Sequence, residues 1–279
     1  MAYRKESYPP AAWRLIQTGF QNGPSNMALD EAILEAVAAG DSPPTLRFYG
    51  WQPTCLSLGY GQNWEAADFD ACARLGWDVV RRPTGGRAIL HVDELTYSVC
   101  APVNEPRVQG GVLESYQRLS EALLRGLKLM GLEPARAKPY YEDRGEPGPA
   151  CFDGPSNYEI TIGQRKLVGS AQVRKQGVVL QHGTLPLFGD VTRIALALFF
   201  DLPGQRLAVQ SRLHYRATTL EQSLGRWVAF DEAAHFMRQG FEQALGLTLL
   251  ESLPTPQELE RAAALQAEKY ATDRWTKRI

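Results

Sequence analysis

The sequence predicts an α+β (mixed α/β) architecture with a central, largely antiparallel or mixed β-sheet flanked by helices. Three observations carry this. Strand-like runs crowd the middle of the chain, from Leu46 to Leu187. Helical periodicity is interspersed before and between them and dominates from about Thr192 onward. The regular strand–helix alternation of a doubly wound parallel sheet is missing.

The elements follow in order. Ser25 to Ala39 reads as a helix capped by Ser25 or Asn26, with Leu29, Ile33, Leu34 and Val37 on one face and Gly40 as its stop. Leu46–Trp51 and Thr54–Tyr60 read as strands joined at Gln52-Pro53. Trp64 to Leu75 reads as a helix ending at Gly76, Trp77–Arg82 as a strand and Leu95–Ala101 as another. Leu113 to Met130 is a long amphipathic helix closed by Gly131. Tyr158–Ile162 and Lys166–Val173 form a hairpin about Gly163-Gln164-Arg165, and strand Val178–Leu187 follows. Asp231–Leu245 and Pro256–Tyr270 are the clearest later helices. A single catalytic domain over residues 1–279 accommodates all of this, with 1–12 as an extended N-terminal segment.

Composition excludes several classes. With 279 residues, 44% hydrophobic and 22% charged, the chain is ordinary for a globular enzyme. A net charge of −1 and a pI near 6.5 give no reason to expect nucleic acid, although local Lys and Arg clusters could dock an acidic protein. Neither a signal peptide nor a membrane span is present in the pattern, so a cytoplasmic protein is expected. Cys55, Cys72, Cys100 and Cys151 lack metal-ligand spacing. No metal or cofactor is implied.

The most informative stretch is Arg81-Arg82-Pro83-Thr84-Gly85-Gly86-Arg87-Ala88-Ile89-Leu90-His91. A Gly-Gly turn can take φ > 0 and let a ligand's polar head approach its N–H groups. The flanking arginines suit phosphate or carboxylate. An ordinary hairpin with solvent-facing arginines fits these residues equally well.

Cys151 follows Glu142-Asp143-Arg144-Gly145-Glu146-Pro147-Gly148-Pro149, which reads as a mobile loop delivering it. It is the candidate nucleophile; a small buried hydrophobe is the alternative. Cys55, Cys72 and Cys100 lie in strand or helix patterns and read as core. Strict alternation puts Lys166, Val168, Ser170 and Gln172 on one strand face, with Leu167, Gly169 and Ala171 on the other. A lysine there can favour a neighbouring thiolate, or as a neutral amine accept a proton. His91 and His182 are each either site groups or satisfied structural histidines, and Gly183 and Thr184 suggest a site wall. Asp30 and Glu31 read as ion-pair partners for arginines. His214 and His235 carry no role. Phe48, Tyr49, Trp51 and Tyr60 are wall or core aromatics.

The Arg-Arg-x-x-Gly-Gly-x-x-x-x-His segment resembles the signature of the lipoate/octanoate protein transferase and ligase family. Three more blocks match in the same order: Leu46–Trp51 through Gln62-Asn63, Lys166-Leu167-Val168-Gly169-Ser170-Ala171-Gln172, and Gln181-His182-Gly183-Thr184-Leu185. The match runs from about Trp13 to Trp275. Cys151, within Ala150-Cys151-Phe152-Asp153-Gly154-Pro155-Ser156, makes the likeness strongest to LipM-type octanoyltransferases. Arg87 stands where many members have a third glycine, a change shared by LipM-like sequences. Val92 separates His91 from Asp93, which leaves the role of Asp93 open.

The resemblance implies a biotin/lipoate ligase-type catalytic domain whose sheet holds an acyl group on one face. It implies Cys151 and Lys166 as catalytic residues, with Arg82, Gly85, Gly86, Arg87, His91, Gly169, Ser170, His182 and Gly183 binding substrate. The Gly85-Gly86 turn and the Lys166 strand would face each other across the acyl group. The implied reaction moves octanoyl from acyl carrier protein through a Cys151 thioester to a lysine of a lipoyl-domain protein, the glycine cleavage H protein first. Burying six methylenes at ~0.8 kcal/mol each supplies roughly 5 kcal/mol toward chain selection. An ATP-dependent lipoate–protein ligase, an amidotransferase between lipoyl domains and a silent acyl-binding module are the competing readings.

Overall fold

The computed structural model describes residues 8–137, 150 and 159–279. In chain order these form β1 (Ala11–Gln21), α1 (Gly23–Ala39), β2 (Thr45–Trp51), β3 (Cys55–Leu58), α2 (Phe69–Leu75), β4 (Asp78–Arg81), β5 (Ile89–His91), β6 (Glu94–Pro102), α3 (Val112–Leu129) and β7 (Pro134–Arg136). There follow β8 (Ile160–Ile162), β9 (Arg165–Lys175), β10 (Val178–Pro186), α4 (Pro203–Arg216), α5 (Leu220–Leu224), α6 (Phe230–Leu245), β11 (Leu247–Ser252), α7 (Pro256–Leu265) and α8 (Asp273–Thr276).

Eight strands make one mixed sheet in the order β11-β1-β2-β6-β10-β9-β8-β7. The β1 pairings with β11 and β2 are parallel, and the rest of the sheet is antiparallel. A second sheet, β4-β3-β5, holds β4 parallel and β5 antiparallel to β3. One face of the large sheet packs Phe48, Tyr97 and Val168 with Leu119 and Leu123 of α3 and Met237 and Phe241 of α6. The other face carries α1 through Leu29, Ile33, Leu34 and Val37, and the small sheet through Cys55 and Val80. The site lies between the two sheets.

Several expectations change in detail. Helix α1 is capped by Asn22, whose side chain accepts from Ser25 N, rather than by Ser25 or Asn26; Pro24 in the first turn needs no amide partner. The strands on either side of Gln52-Pro53 belong to different sheets. The stretch from Trp64 to Leu75 is a 3₁₀ turn followed by α2, because the Asp68 side chain starts a new helix by accepting from Ala71 N. Residues Ala11 and Ala12 already belong to β1. The helical C-terminal region also contains β11, which closes the sheet edge beside β1. Helix α7 runs into a π-helical turn at Gln266–Tyr270.

Buried ion pairs tie these layers together. Arg14 of β1 meets Glu258 of α7 through two bonds of 2.9 and 2.5 Å. Arg47 of β2 bonds Asp30 at 2.8 Å and also donates to Asn26 and Thr18. Asp30 thus pairs with an arginine as expected, whereas Glu31 takes Lys175, Lys269 and the Tyr270 hydroxyl instead.

Candidate active site

A cavity of about 350 Å³ opens between the sheets. Its large-sheet wall is Tyr49 and Trp51 of β2, Thr96 of β6, His182–Thr184 of β10 and Gly169–Gln172 of β9. The facing wall is Arg82, Gly85, Gly86, Arg87, Ile89 and His91. The Gly-Gly segment and the Lys166 strand therefore flank one cavity, with Met27 and Glu159 completing it.

The Gly-Gly segment is a crossover loop, because β4 and β5 lie on opposite sides of β3 and do not pair with each other. Gly86 sits at φ +90°. A Cβ on Gly59 would stand 1.8 Å from the Gly86 carbonyl oxygen, so the chain passes there backbone to backbone. Both arginines of the motif are buried rather than solvent-facing. Arg81 donates to the carbonyls of Gly59 at 2.7 Å, Gln62 at 2.6 Å and Thr276 at 2.8 and 3.0 Å. Arg82 donates to Ser57 O and Oγ at 3.1 Å, Gly85 O at 2.7 Å and Arg87 O at 2.8 Å. It braces the loop from inside. Half-buried Arg87 lines the cavity.

Both histidines line the cavity within hydrogen-bonded chains. His91 stacks on Trp51 with centroids 4.0 Å apart, while its Nδ1 lies 2.7 Å from Glu94 Oε1 and its Nε2 2.8 Å from Ser57 Oγ. The order Ser57–His91–Glu94 looks like a nucleophile, base and acid. Ser57 is fully buried, however, and its Oγ also accepts from Arg82, so the chain orients the imidazole instead. His182 Nε2 lies 2.6 Å from Thr84 Oγ1, tying β10 to the loop, and its Nδ1 is 3.5 Å from Asp30. Burial pushes the His182 pKa below its ordinary value, although Asp30 opposes this. Burial would raise Asp30, but Arg47 and bonds from His182 and Ser98 hold its carboxyl below the ordinary value.

Lys166 reaches the cavity face by a route that strict alternation misses. Ile160 pairs with Val168 but Thr161 pairs with Lys166, so Leu167 is an extra residue in β9. Leu167 and Val168 both enter the core facing α3 and α6, and Lys166 turns to the other face. There it forms a buried ion pair with Glu159, which lines the cavity. Ser170 and Gln172, expected on the Lys166 face, direct their side chains elsewhere: Ser170 Oγ is 2.7 Å from Tyr97 Oη, and Gln172 bonds Ser115 of α3. The cavity face of β9 belongs to Gly169 and Ala171, the register partners of Thr184 and His182. Gly183 lies on the opposite face, where a Cβ would come within 2.4 Å of Ser170 Oγ.

Among the aromatics, Tyr49 and Trp51 line the cavity, Phe48 lies in the opposite core and Tyr60 is exposed beneath Arg278. Asp93 pairs with Arg193 at 2.6 Å in a turn at φ +50°, away from the cavity wall. Cys55, Cys72 and Cys100 are buried. Burial pushes all three thiols up, Cys72 to about 11. Cys151 and the expected loop before it lie outside the described residues. Ala150 is fully buried and bridges Ala88, two residues past Gly86. Glu159 is the site group that sequence reasoning missed; its place seven residues before Lys166, across the hairpin, was the available signal.

Residues 22–242 match the family model of the lipoyl protein ligase A/B catalytic domain. The octanoyltransferase LipM of Symbiobacterium thermophilum is 44% identical over 273 residues, covering 95% of this chain and 98% of its own. The LipM octanoyltransferase of Moorella thermoacetica is 44% identical over 274 residues, covering 97% and 99%. Among solved structures, a bipartite lipoate protein ligase of Thermoplasma acidophilum shares the fold with a TM-score of 0.79 at 24% identity, covering 95% of this chain and 96% of that one. Lipoate-protein ligase A bound with ATP gives 0.77 at 25% identity, covering 96% and 99%. No helix among the described residues is long and apolar enough to cross a membrane.

Proposed function

The chain belongs to the lipoyl protein ligase A/B catalytic-domain family, and we propose that it is an octanoyltransferase of lipoate biosynthesis acting in the cytoplasm through an acyl-enzyme. Near-full-length similarity to the LipM octanoyltransferases supports the reaction class. The observation that carries the site is a buried lysine, in the family block that the sequence shares, paired with Glu159 of the cavity wall.

Octanoyl-acyl carrier protein is the proposed donor. The Cys151 thiolate attacks the donor's thioester carbonyl, forming a new C–S bond as the carrier's C–S bond breaks, and the departing carrier thiolate takes its proton from the Lys166 ammonium. One thioester replaces another, so the step is nearly neutral in free energy. The charged Lys166 ammonium favours the thiolate. An ε-amine of a lipoyl-domain protein, with the glycine cleavage H protein as first acceptor, then attacks the acyl-enzyme. An amide forms, Cys151 leaves as thiolate, and the proton lost by the amine passes to the Lys166 amine that the first step left neutral, which restores its charged form. The Arg82-braced loop, His91, His182, Gly169 and the Ser170 backbone shape the acyl site, and Arg87 stands at its loop side.

Incubation with octanoyl-acyl carrier protein and apo H protein, with and without ATP, tests the reading. Octanoyl transfer independent of ATP is expected. Strict dependence on ATP with free octanoate overturns the transferase reading in favour of a ligase.

A further inference from the structure

Glu159 stands in an unusual electrostatic position. Among the described residues of the cavity wall it is the only carboxylate, and its partner is Lys166. The other charged or titratable groups of that wall are Arg82, Arg87, His91, His182 and the Tyr49 phenol. Arg216 precedes Ala217, whose backbone bridges Lys166 from the end of α4, and Arg165 is its chain neighbour. Among the described residues, the carboxylates of Asp30 and Glu94 lie behind this wall, engaged by Arg47 and by His91 and Thr184, so Glu159 is the carboxylate that lines it.

Burial disfavours a charged amine, and so do neighbouring cations. Lys166 and Glu159 each retain only 5% of their side-chain exposure. An ammonium in that place requires a compensating carboxylate within contact. The backbone is arranged to supply one. The Leu167 bulge turns Lys166 to the cavity face, and Glu159 and Thr161 share that face of the preceding strand and its lead-in, opposite Ile160 and Ile162. The chain thus inserts an extra residue where Lys166 meets its counter-ion.

We propose that Glu159 is a positioning residue for the transfer reaction: the Glu159–Lys166 contact on the bulged hairpin keeps Lys166 charged in the resting enzyme and held against the cavity wall. This rests on the octanoyltransferase reading for its consequence, but the contact can be read without any substrate.

The test titrates the Lys166 Nζ by ¹⁵N-lysine NMR in the full chain and compares the pH profile of octanoyl transfer. In Glu159→Gln, the Lys166 pKa should fall by at least about one unit, the scale of a nearby opposite charge. The pH dependence of transfer should move with it, and the rate at neutral pH should drop at least about tenfold. Glu159→Asp keeps the charge and should retain most of the titration and of the rate. An unchanged Lys166 titration in Glu159→Gln overturns the proposal, as does a shifted titration with an unmoved pH profile. Should Glu159→Gln fail to fold, Glu159→Asp decides: a Lys166 titration lower than wild type by less than about half a unit supports the contact, and one as low as that of a buried unpaired lysine overturns it. If wild type transfers no octanoyl at all, the reaction reading fails while the NMR titration still reports on the pair.

Discussion

Lys166 and Val168 stand two residues apart on one strand and face opposite sides of the sheet. Residues i and i+2 share a face in a regular strand, so the extra Leu167 is what separates them. Val168 goes to the core with α3 and α6, and Lys166 goes to the other face, against Glu159 of the cavity wall.

Leu167 therefore has two separable effects. Leu167→Ala keeps the extra residue and removes buried carbon, so it should cost about 2–5 kcal/mol in stability while retaining transfer in the folded fraction. Deleting Leu167 leaves Lys166 directly before Val168, and neighbours on a regular strand face opposite sides, so Lys166 should keep its face and transfer should fall less than about tenfold. Lys166→Ala should instead cut transfer by about 10²–10⁴-fold, the scale of losing an acid–base group. Urea unfolding with single-turnover transfer checks these outcomes. A loss in the Leu167 deletion as large as in Lys166→Ala would contradict this facing.

Arg82 is a brace rather than a solvent-facing cation, donating to Ser57, Gly85 and Arg87 from a buried position. Lysine has the charge but not the fork that reaches these acceptors together. Arg82→Lys should lower stability by about 2 kcal/mol, through the loss of charge-assisted bonds, and should raise KM for the donor more than it lowers kcat. Denaturant unfolding and steady-state kinetics read this out. A variant with wild-type stability and KM contradicts the bracing role.

His182 makes folding sensitive to mild acid. Its folded pKa lies below the ordinary imidazole value of 6.5, with burial as the largest cause, so the unfolded chain binds more protons as pH falls below that value. Stability is complete above pH 6.5 and declines as pH drops toward the lowered folded pKa. Asp30, also lowered, adds its loss only below the ordinary carboxyl value of 3.8. Thermal unfolding of His182→Gln across pH 4.5–7.5 should therefore show a flatter profile than wild type between about 6.5 and 5. An identical slope in both proteins excludes His182 as its source.

Much of this was legible from residues alone, and the exceptions share a cause. Glycine stops, apolar helix faces and the Gly85-Gly86 segment are local signals, and they fell where the periodicity put them. β1 was not legible because Arg14, buried in its middle, is satisfied by Glu258 from the far end of the chain. The sequence leaves the solvent-facing reading of the motif's two arginines open because several of their acceptors, at Thr276, Gly59 and Ser57, lie outside the motif. The bulge was invisible for the same reason: alternation counts residues on one strand, whereas the extra residue is defined by its partner, β8. Lys166 was found by motif, and its facing only by pairing.

The cysteines give the most direct test of an acyl-enzyme. Burial raises the Cys55 and Cys100 thiols well above the ordinary value and Cys72 to about 11, so none of the three supplies appreciable thiolate near neutral pH. The thiolate is the nucleophile, so these three are poor candidates and the proposed acyl-enzyme is assigned to Cys151. Mixing the protein with octanoyl-acyl carrier protein alone should add one octanoyl mass, removable by hydroxylamine. Cys151→Ala should abolish both this adduct and transfer, whereas Cys55→Ala, Cys72→Ala and Cys100→Ala should keep them and lose stability according to the cavity each leaves. In Cys151→Ser any acyl adduct should form slowly and persist as an ester, because an ester is a poorer donor to an amine. Intact-protein mass spectrometry with peptide mapping reads each outcome. Full transfer by Cys151→Ala would end the covalent mechanism and favour direct transfer or an adenylate route.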